Sequence, residues 1–373
     1  MGTQRPLARR TLIAATAAGL VAATPATSLG SQARGQARYH TVGRIRRTAG
    51  GFAEYSWPGV SFEGRFRGTG VGLVLDDADN DYDVQIDGVT ATTLVTPGRT
   101  TAWIHDLPDA EHTVRLVKRT ESPWAVGRFG GFVAAPRGAI LAPPRARSRQ
   151  IEFIGDSNTA GYGNVSDTRD CSANGGVNRN TNTDLAFGAL TARSLNADVQ
   201  INAYSGLGMV RNYDGHSPDT NYRTYYDRAL LNVAGDVWRR PGTWRPQLVV
   251  IGLGLNDFST PLRPGERWAT EDDLVADYER AYQRFLDGLR ARYGRETFIV
   301  VSAAALHNTT AFARAAQHVV EVRERRGDHR VGYWYYDDPA LDHLGCDWHP
   351  SAHDHRIIAG LLGAHLATLP LRW

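Results

Sequence analysis

The chain has 373 residues, about twice the length of a typical domain, so two domains are expected. With 42% hydrophobic and 22% charged residues it has the make-up of a globular protein, which excludes intrinsic disorder, collagen-like repeats and a disulfide-dense miniprotein. The formal charge of +3 is matched by Arg5, Arg9 and Arg10, so the chain beyond residue 33 is neutral and has no electrostatic case for a nucleic-acid partner.

The N-terminus reads as an address. Arg9-Arg10 precedes an Ala-rich apolar stretch from Leu12 to Ala23, and small residues follow through Ala33. This order is that of a twin-arginine-type signal peptide over residues 1–33, with Ser31-Gln32-Ala33 as a cleavage triplet, and predicts export. The stretch is too short for a membrane helix, which takes roughly 20 apolar residues, and no later segment is longer. No membrane partner is expected.

From about residue 39 to 141 the pattern is strand-like. Phe62, Gly64 and Phe66 alternate, as do Tyr82, Val84 and Ile86, with Asp87-Gly88 as a turn signal, and Val114 and Leu116 alternate further on. An all-β sandwich follows from this spacing. Residues 142–149, rich in proline and arginine, read as a linker.

From residue 150 to 373 the texture changes. Ile151–Ile154, Leu248–Ile251 and Phe298–Val301 are short continuous apolar runs, the signature of parallel strands buried on both faces. Leu274, Tyr278, Tyr282, Phe285 and Leu289 repeat at helical spacing, with Thr270 placed to cap the start and Gly294 the end. Ile358, Leu362, Leu366 and Leu369 form a second such stripe. Strands alternating with amphipathic helices predict an α/β domain.

Ligands of an open parallel sheet bind beyond the carboxyl ends of its strands. Gly155-Asp156-Ser157 follows the first apolar run, Tyr204-Ser205-Gly206 follows Val199–Asn202, and Gly254-Leu255-Asn256-Asp257 follows Leu248–Ile251. Asp347-Trp348-His349-Pro350 stands before the last helix. An ester hydrolase needs a nucleophile, a base and donors for an oxyanion. Ser157 suits the first role and His349 the second. The N–H groups of Ser157 and Gly206 and the neutral side-chain amide of Asn256 suit the third.

These four blocks resemble the SGNH, or GDSL-like, hydrolase superfamily. Glu111–Glu121, Gly188–Arg193, Val210–Tyr213 and Gly345–Ser351 extend the resemblance to carbohydrate esterase family 2 over nearly all of the chain beyond the signal. The resemblance implies an N-terminal jelly-roll β-sandwich, a C-terminal SGNH α/β domain and removal of acetyl esters from plant polysaccharides such as xylan or glucomannan, often at a sugar 6-hydroxyl. It implies no cofactor and does not specify protein partners. The sequence departs from many superfamily members at one place: Cys346 stands three residues before His349, where an aspartate is common. Asp347 is therefore the candidate to orient the imidazole, with a dyad held by a backbone carbonyl as the alternative. Cys171 lies 14 residues after Ser157 and Cys346 three before His349, so a disulfide between them would tie two loops of the site together. Trp348 is the candidate sugar-stacking residue.

Three rival readings remain. His343, Asp347, His349, His353 and His355 lie within thirteen residues, but His349–His353 lacks the glutamate of a His-Glu-x-x-His zinc helix, so no metal is expected and the surplus histidines are read as solvent-facing. A superfamily lipase or thioesterase would need an apolar groove. An inactive carbohydrate-binding protein would keep the glycan and lose the chemistry.

Overall fold

A computed structural model describes residues 38–306 and 308–373; the expected signal peptide lies outside the described residues. The architecture has two domains. In the first, every strand pairing is antiparallel, in two sheets. One sheet runs in the order His40–Val42, Ser61–Gly68, Ala110–Lys118, Asp81–Ile86, Val89–Val95, with Ala139–Ile140 added beside Ser61–Gly68. The other runs Arg46–Arg47, Ala53–Tyr55, Gly127–Ala134, Val71–Asp77, Gly98–Ile104. The alternating residues of the sequence form the layer between the sheets. Phe62, Phe66, Tyr82, Val84, Val114 and Leu116 are buried, and Phe62 meets Phe129 of the opposite sheet with ring centroids 4.4 Å apart. Asp87 and Gly88 both take positive φ (49° and 81°) and join Ile86 to Val89, a two-residue hairpin whose twist matches that of its strands.

The second domain is a five-stranded parallel sheet in the order Ala197–Ala203, Arg149–Gly155, Leu248–Gly252, Phe298–Ala304, Val331–Tyr336. The three apolar runs of the sequence are its three inner strands, where burial on both faces leaves no polar side to alternate with. The edge strand Val331–Tyr336 reads Val-Gly-Tyr-Trp-Tyr-Tyr and carries no such run. The helix Glu271–Tyr293 starts at Thr270, whose hydroxyl accepts from the Asp273 N–H while the Asp273 carboxylate accepts from the Thr270 N–H, and it ends at Gly294 (φ 84°). Its stripe of Leu274, Tyr278, Tyr282 and Leu289 is buried.

The two domains are joined through buried polar contacts. Arg44 and Glu152, each with no side-chain exposure, pair at 2.9 Å across the boundary. The Arg44 guanidinium lies 4.5 Å from the Tyr226 ring centroid and 4.4 Å from that of Trp238. Arg115 of the first domain pairs with Asp184 of the second at 2.8 Å. Arg147, in the stretch read as a linker, donates to Glu63 at 3.0 Å and to Asp198 at 2.7 Å, so this stretch is fastened on both sides.

Candidate active site

The strand Arg149–Gly155 ends at Asp156, whose carboxylate accepts from the Asn158 N–H at 3.1 Å and caps a single helical turn, Ser157–Ala160. Ser157 is the first residue of that turn, so its N–H has no partner one turn back. The Ser157 hydroxyl donates to His349 Nε2 at 2.8 Å, across 192 positions of sequence. His349 Nδ1–H donates to the Cys346 carbonyl at 3.0 Å, which fixes the tautomer that leaves Nε2 free to accept. Burial lowers the His349 pKa below the usual histidine value. The Cys346 carbonyl and the Asp347 charge oppose that shift without overcoming it.

Asp347 is placed elsewhere. Its carboxylate accepts from the Tyr162 hydroxyl at 2.9 Å, and the place beside Nδ1 that the sequence offered to it is taken by the Cys346 carbonyl. The physical reason lies in the backbone. Asp347 and Trp348 both have positive φ (51° and 64°), a turn that carries the Asp347 side chain outward and brings the preceding carbonyl to the ring. The Tyr162 ring lies 4.3 Å from the imidazole, centroid to centroid.

A covalent bond and backbone contacts hold this strained turn. Cys171 and Cys346 form the expected disulfide, with Cα atoms 5.6 Å apart. The Asp347 N–H donates to the Arg169 carbonyl at 2.9 Å, and the Cys346 N–H to the Gly163 carbonyl at 3.2 Å. Trp348 is 68% exposed, and the Arg169 guanidinium stacks 3.7 Å from its ring centroid. Behind the turn, Asp354 accepts from the N–H groups of Asp342 and His343 at 2.8 and 2.9 Å.

The opposite side of the site is buried. The Asn256 side-chain amide donates to the Leu207 carbonyl at 3.0 Å and reaches Asp156 Oδ2 at 3.3 Å, so it joins the Gly206-Leu207 loop to the turn that carries Ser157. Gly206 has φ 77°, a conformation that strains any residue with a Cβ. The Asp257 carboxylate accepts from three successive N–H groups, those of Met209, Val210 and Arg211, at 2.8 to 2.9 Å. A Cβ at Gly208 would stand 2.4 Å from that carboxylate, so only glycine permits the approach. Burial pushes Asp156 up to about 7 and Asp257 up to about 6, against the hydrogen bonds each accepts.

Thus Ser157, His349 and Asn256 converge on the carboxyl ends of the parallel strands, and the Asn256 amide brings the Gly206 loop with them. The five acidic and histidine side chains near the C-terminus disperse: His349 faces Ser157, Asp347 faces Tyr162 and His353 is exposed. His355 corrects the expectation of solvent-facing histidines. It is fully buried, its Nδ1 accepts from the Phe187 N–H at 3.2 Å, and burial lowers its pKa to about 3. Among the described residues, no three His, Cys, Asp or Glu side chains group as metal ligands. A backbone carbonyl beside Nδ1 was the alternative that the sequence left open, but which carbonyl it is, and the place of Tyr162, were beyond reach of residue-type reasoning. A carbonyl has no sequence signature, and Tyr162 meets Asp347 across 185 positions.

The model of the GDSL-like lipase/acylhydrolase family matches residues 151–362, the whole region that carries these side chains. Fold and site together define a carboxylic ester hydrolase of the GDSL type. Residues 41–144 match the model of the carbohydrate esterase 2 N-terminal domain. An acetylxylan esterase / glucomannan deacetylase of Cellvibrio japonicus is 41% identical over 312 residues, 84% of either chain. A solved carbohydrate esterase, described as having divergent catalytic and non-catalytic binding functions in its active site, superposes with a TM-score of 0.81 at 38% identity, covering 90% of this chain and 98% of that one. A family two esterase from Clostridium thermocellum in complex with cellohexaose gives 0.77 at 29% identity, covering 88% and 98%. The chain belongs to carbohydrate esterase family 2.

Proposed function

We propose that the protein is a secreted acetylesterase that removes O-acetyl groups from plant cell-wall polysaccharides, xylan and glucomannan, at the sugar 6-hydroxyl among others, through an acyl-enzyme on Ser157. The observation that carries this reading is the 2.8 Å contact of Ser157 Oγ with a histidine whose other nitrogen is already engaged. Ser157 Oγ attacks the acetyl carbonyl carbon as His349 Nε2 takes its proton. The Ser157 and Gly206 N–H groups hold the resulting oxyanion, joined by the Asn256 N–H that is released from its longer contact, at 3.3 Å, with Asp156. Collapse expels the sugar oxygen, which takes the proton back from His349, and leaves acetyl on Ser157. His349 then deprotonates water, which attacks the acetyl-serine, and acetate leaves as Ser157 recovers its proton. The Cys346 carbonyl orients the imidazole, so the machinery is a dyad, and Trp348 offers the sugar an exposed ring beside it.

In this reading residues 1–33 are a twin-arginine-type export signal, 39–141 a jelly-roll sandwich, 142–149 the connection and 150–373 the catalytic domain. The jelly roll forms one wall of the site. The names of the relatives support the substrate class. The test is acetate release from acetylated xylan and acetylated glucomannan by wild type and Ser157→Ala side by side. Release by wild type that falls to background in the variant is expected. Release that survives in Ser157→Ala removes the acyl-enzyme, and release by neither protein removes the substrate class.

A further inference from the structure

Between the strand Ala197–Ala203 and the proposed oxyanion donor Gly206 stands Ser205, and both of its donors are taken by one carboxylate from the other domain. The Ser205 N–H donates to Glu121 Oε1 at 2.6 Å, and the Ser205 hydroxyl donates to Glu121 Oε2. Glu121 is buried, and it lies 84 positions away in the stretch that follows the strand Ala110–Lys118. Gly206 has no side chain of its own to fix the peptide unit that carries its N–H. Its carbonyl accepts from the Tyr213 N–H at 2.9 Å, and the next carbonyl, Leu207, accepts from Asn256. Those contacts hold the loop downstream of the Gly206 N–H. Upstream, Tyr204 is held by its own N–H on the Gly155 carbonyl at 3.0 Å and by the Leu207 N–H on its carbonyl at 3.4 Å, and the hold on Ser205 itself comes from Glu121.

Oxyanion donors act because they are in place before charge develops, within about 2.7–3.1 Å of where the oxyanion will be. A peptide unit bounded by a glycine at positive φ rotates readily, and a rotated unit turns its carbonyl toward the site in place of the N–H. We propose that Glu121 is a positioning residue for the oxyanion hole: the β-domain reaches across the domain boundary, grips both donors of Ser205 and so sets the Gly206 N–H. The inference rests on the reading of Gly206 as an oxyanion donor. It assigns the β-domain a part in the chemical step as well as in enclosing the site.

The test compares Glu121→Ala, Glu121→Gln and Ser205→Ala with wild type and Ser157→Ala on 4-nitrophenyl acetate. Three readouts are used: kcat against KM, the affinity for a phenylboronic acid, which forms a tetrahedral adduct on the nucleophile, and the thermal midpoint. Glu121→Ala is expected to lower kcat by about 10- to 100-fold, the scale of a misplaced catalytic group, with KM within threefold. Boronate affinity should fall in step with kcat. Glu121→Gln keeps an acceptor for Ser205 and should recover most of the loss, and Ser205→Ala, which keeps the N–H contact, should lose less than Glu121→Ala. Unchanged kcat in a folded Glu121→Ala overturns the proposal, as does a kcat loss with unaltered boronate affinity. Should Glu121→Ala fail to fold, Ser205→Ala decides: a kcat loss of more than twofold, in step with boronate affinity, is expected, and both within twofold of wild type would overturn the proposal. Full activity in Ser157→Ala would instead overturn the acyl-enzyme, which separates the two failures.

Discussion

The two sides of the active site keep their loops still by different chemistry. On the side where we place the oxyanion, three buried carboxylates from two domains collect backbone and side-chain donors: Asp156 at the Ser157 turn, Glu121 on Ser205, and Asp257 on three consecutive N–H groups. On the histidine side, a turn with two successive non-glycine residues at positive φ is stapled by a disulfide, and its one working contact to the imidazole is a backbone carbonyl. The first arrangement is dry and polar, so a lost partner leaves a desolvated group unmatched. The second stands near solvent and stores strain, of order 1–3 kcal/mol for each such residue, that the crosslink holds in check. Ser157 and His349 meet where the two arrangements touch.

Perturbing one side at a time sharpens this contrast. Removing either partner at the meeting point has the largest effect: Ser157→Ala or His349→Ala should lower kcat by about 10⁴-fold or more, measured as acetate release under saturating substrate. On the oxyanion side alone, Asn256→Ala should lower kcat by 10²–10³-fold, the usual effect of deleting one donor, which is about 2.7–4 kcal/mol. A loss of tenfold or less would take Asn256 out of the oxyanion hole and weaken the contrast. On the histidine side, reduction of Cys171–Cys346, or the double change Cys171→Ser with Cys346→Ser, should lower stability by about 2–5 kcal/mol in denaturant titrations and kcat by about tenfold. Full activity and stability after reduction would mean that the hydrogen bonds from Asp347 and Cys346 to Arg169 and Gly163 suffice.

The smallest effect is expected at Asp347. As the orienting member of a triad it would cost about 10⁴-fold on change to asparagine; held by Tyr162, it should cost less than tenfold in kcat. Its signature is in the pH profile. A lowered histidine pKa keeps the imidazole neutral, and able to accept the serine proton, to lower pH. The acid limb of kcat/KM should therefore have its midpoint below about 6.5, the value of an ordinary histidine. The Asp347 charge opposes that lowering, so Asp347→Asn should move the limb further toward acid. Movement toward neutrality would show that the carboxylate acts on the ring in some other way.

What could be read in advance divides along the same line. The blocks around Ser157 and Asn256 were legible because each follows directly on a strand buried on both faces, which declares itself as a continuous apolar run; the block around Gly206 follows the edge strand Ala197–Ala203, where Val199 and Ile201 alternate with Gln200 and Asn202. The cap of Glu271–Tyr293 was legible because its partners, Thr270 and Asp273, are neighbours in sequence. The choice between Asp347 and a backbone carbonyl as the acceptor for His349 was not, because it depends on the φ angles of Asp347 and Trp348, and residue identity alone does not announce a left-handed turn at such positions. The edge strand Val331–Tyr336 was missed because its aromatic residues fit neither a continuous aliphatic run nor a clean alternation. The burial of His355 was hidden by its setting among polar neighbours, His353, Asp354 and Arg356: its environment is made by Phe187, 168 positions away.

The buried pair of Arg44 and Glu152 bears on how such a protein can be recombined. An accessory glycan-binding module is usually transplantable, because little of it is sunk into its neighbour. Here Arg44 of the sandwich is sunk against Glu152, whose carboxylate also accepts from the Asn202 amide and the Tyr226 hydroxyl, and removing the arginine alone from that buried pair would cost about 3–5 kcal/mol. Chimaeras that exchange the sandwich between relatives should therefore succeed when the arginine and the glutamate travel together and collapse when one is left behind. The heritable unit is the pair of domains.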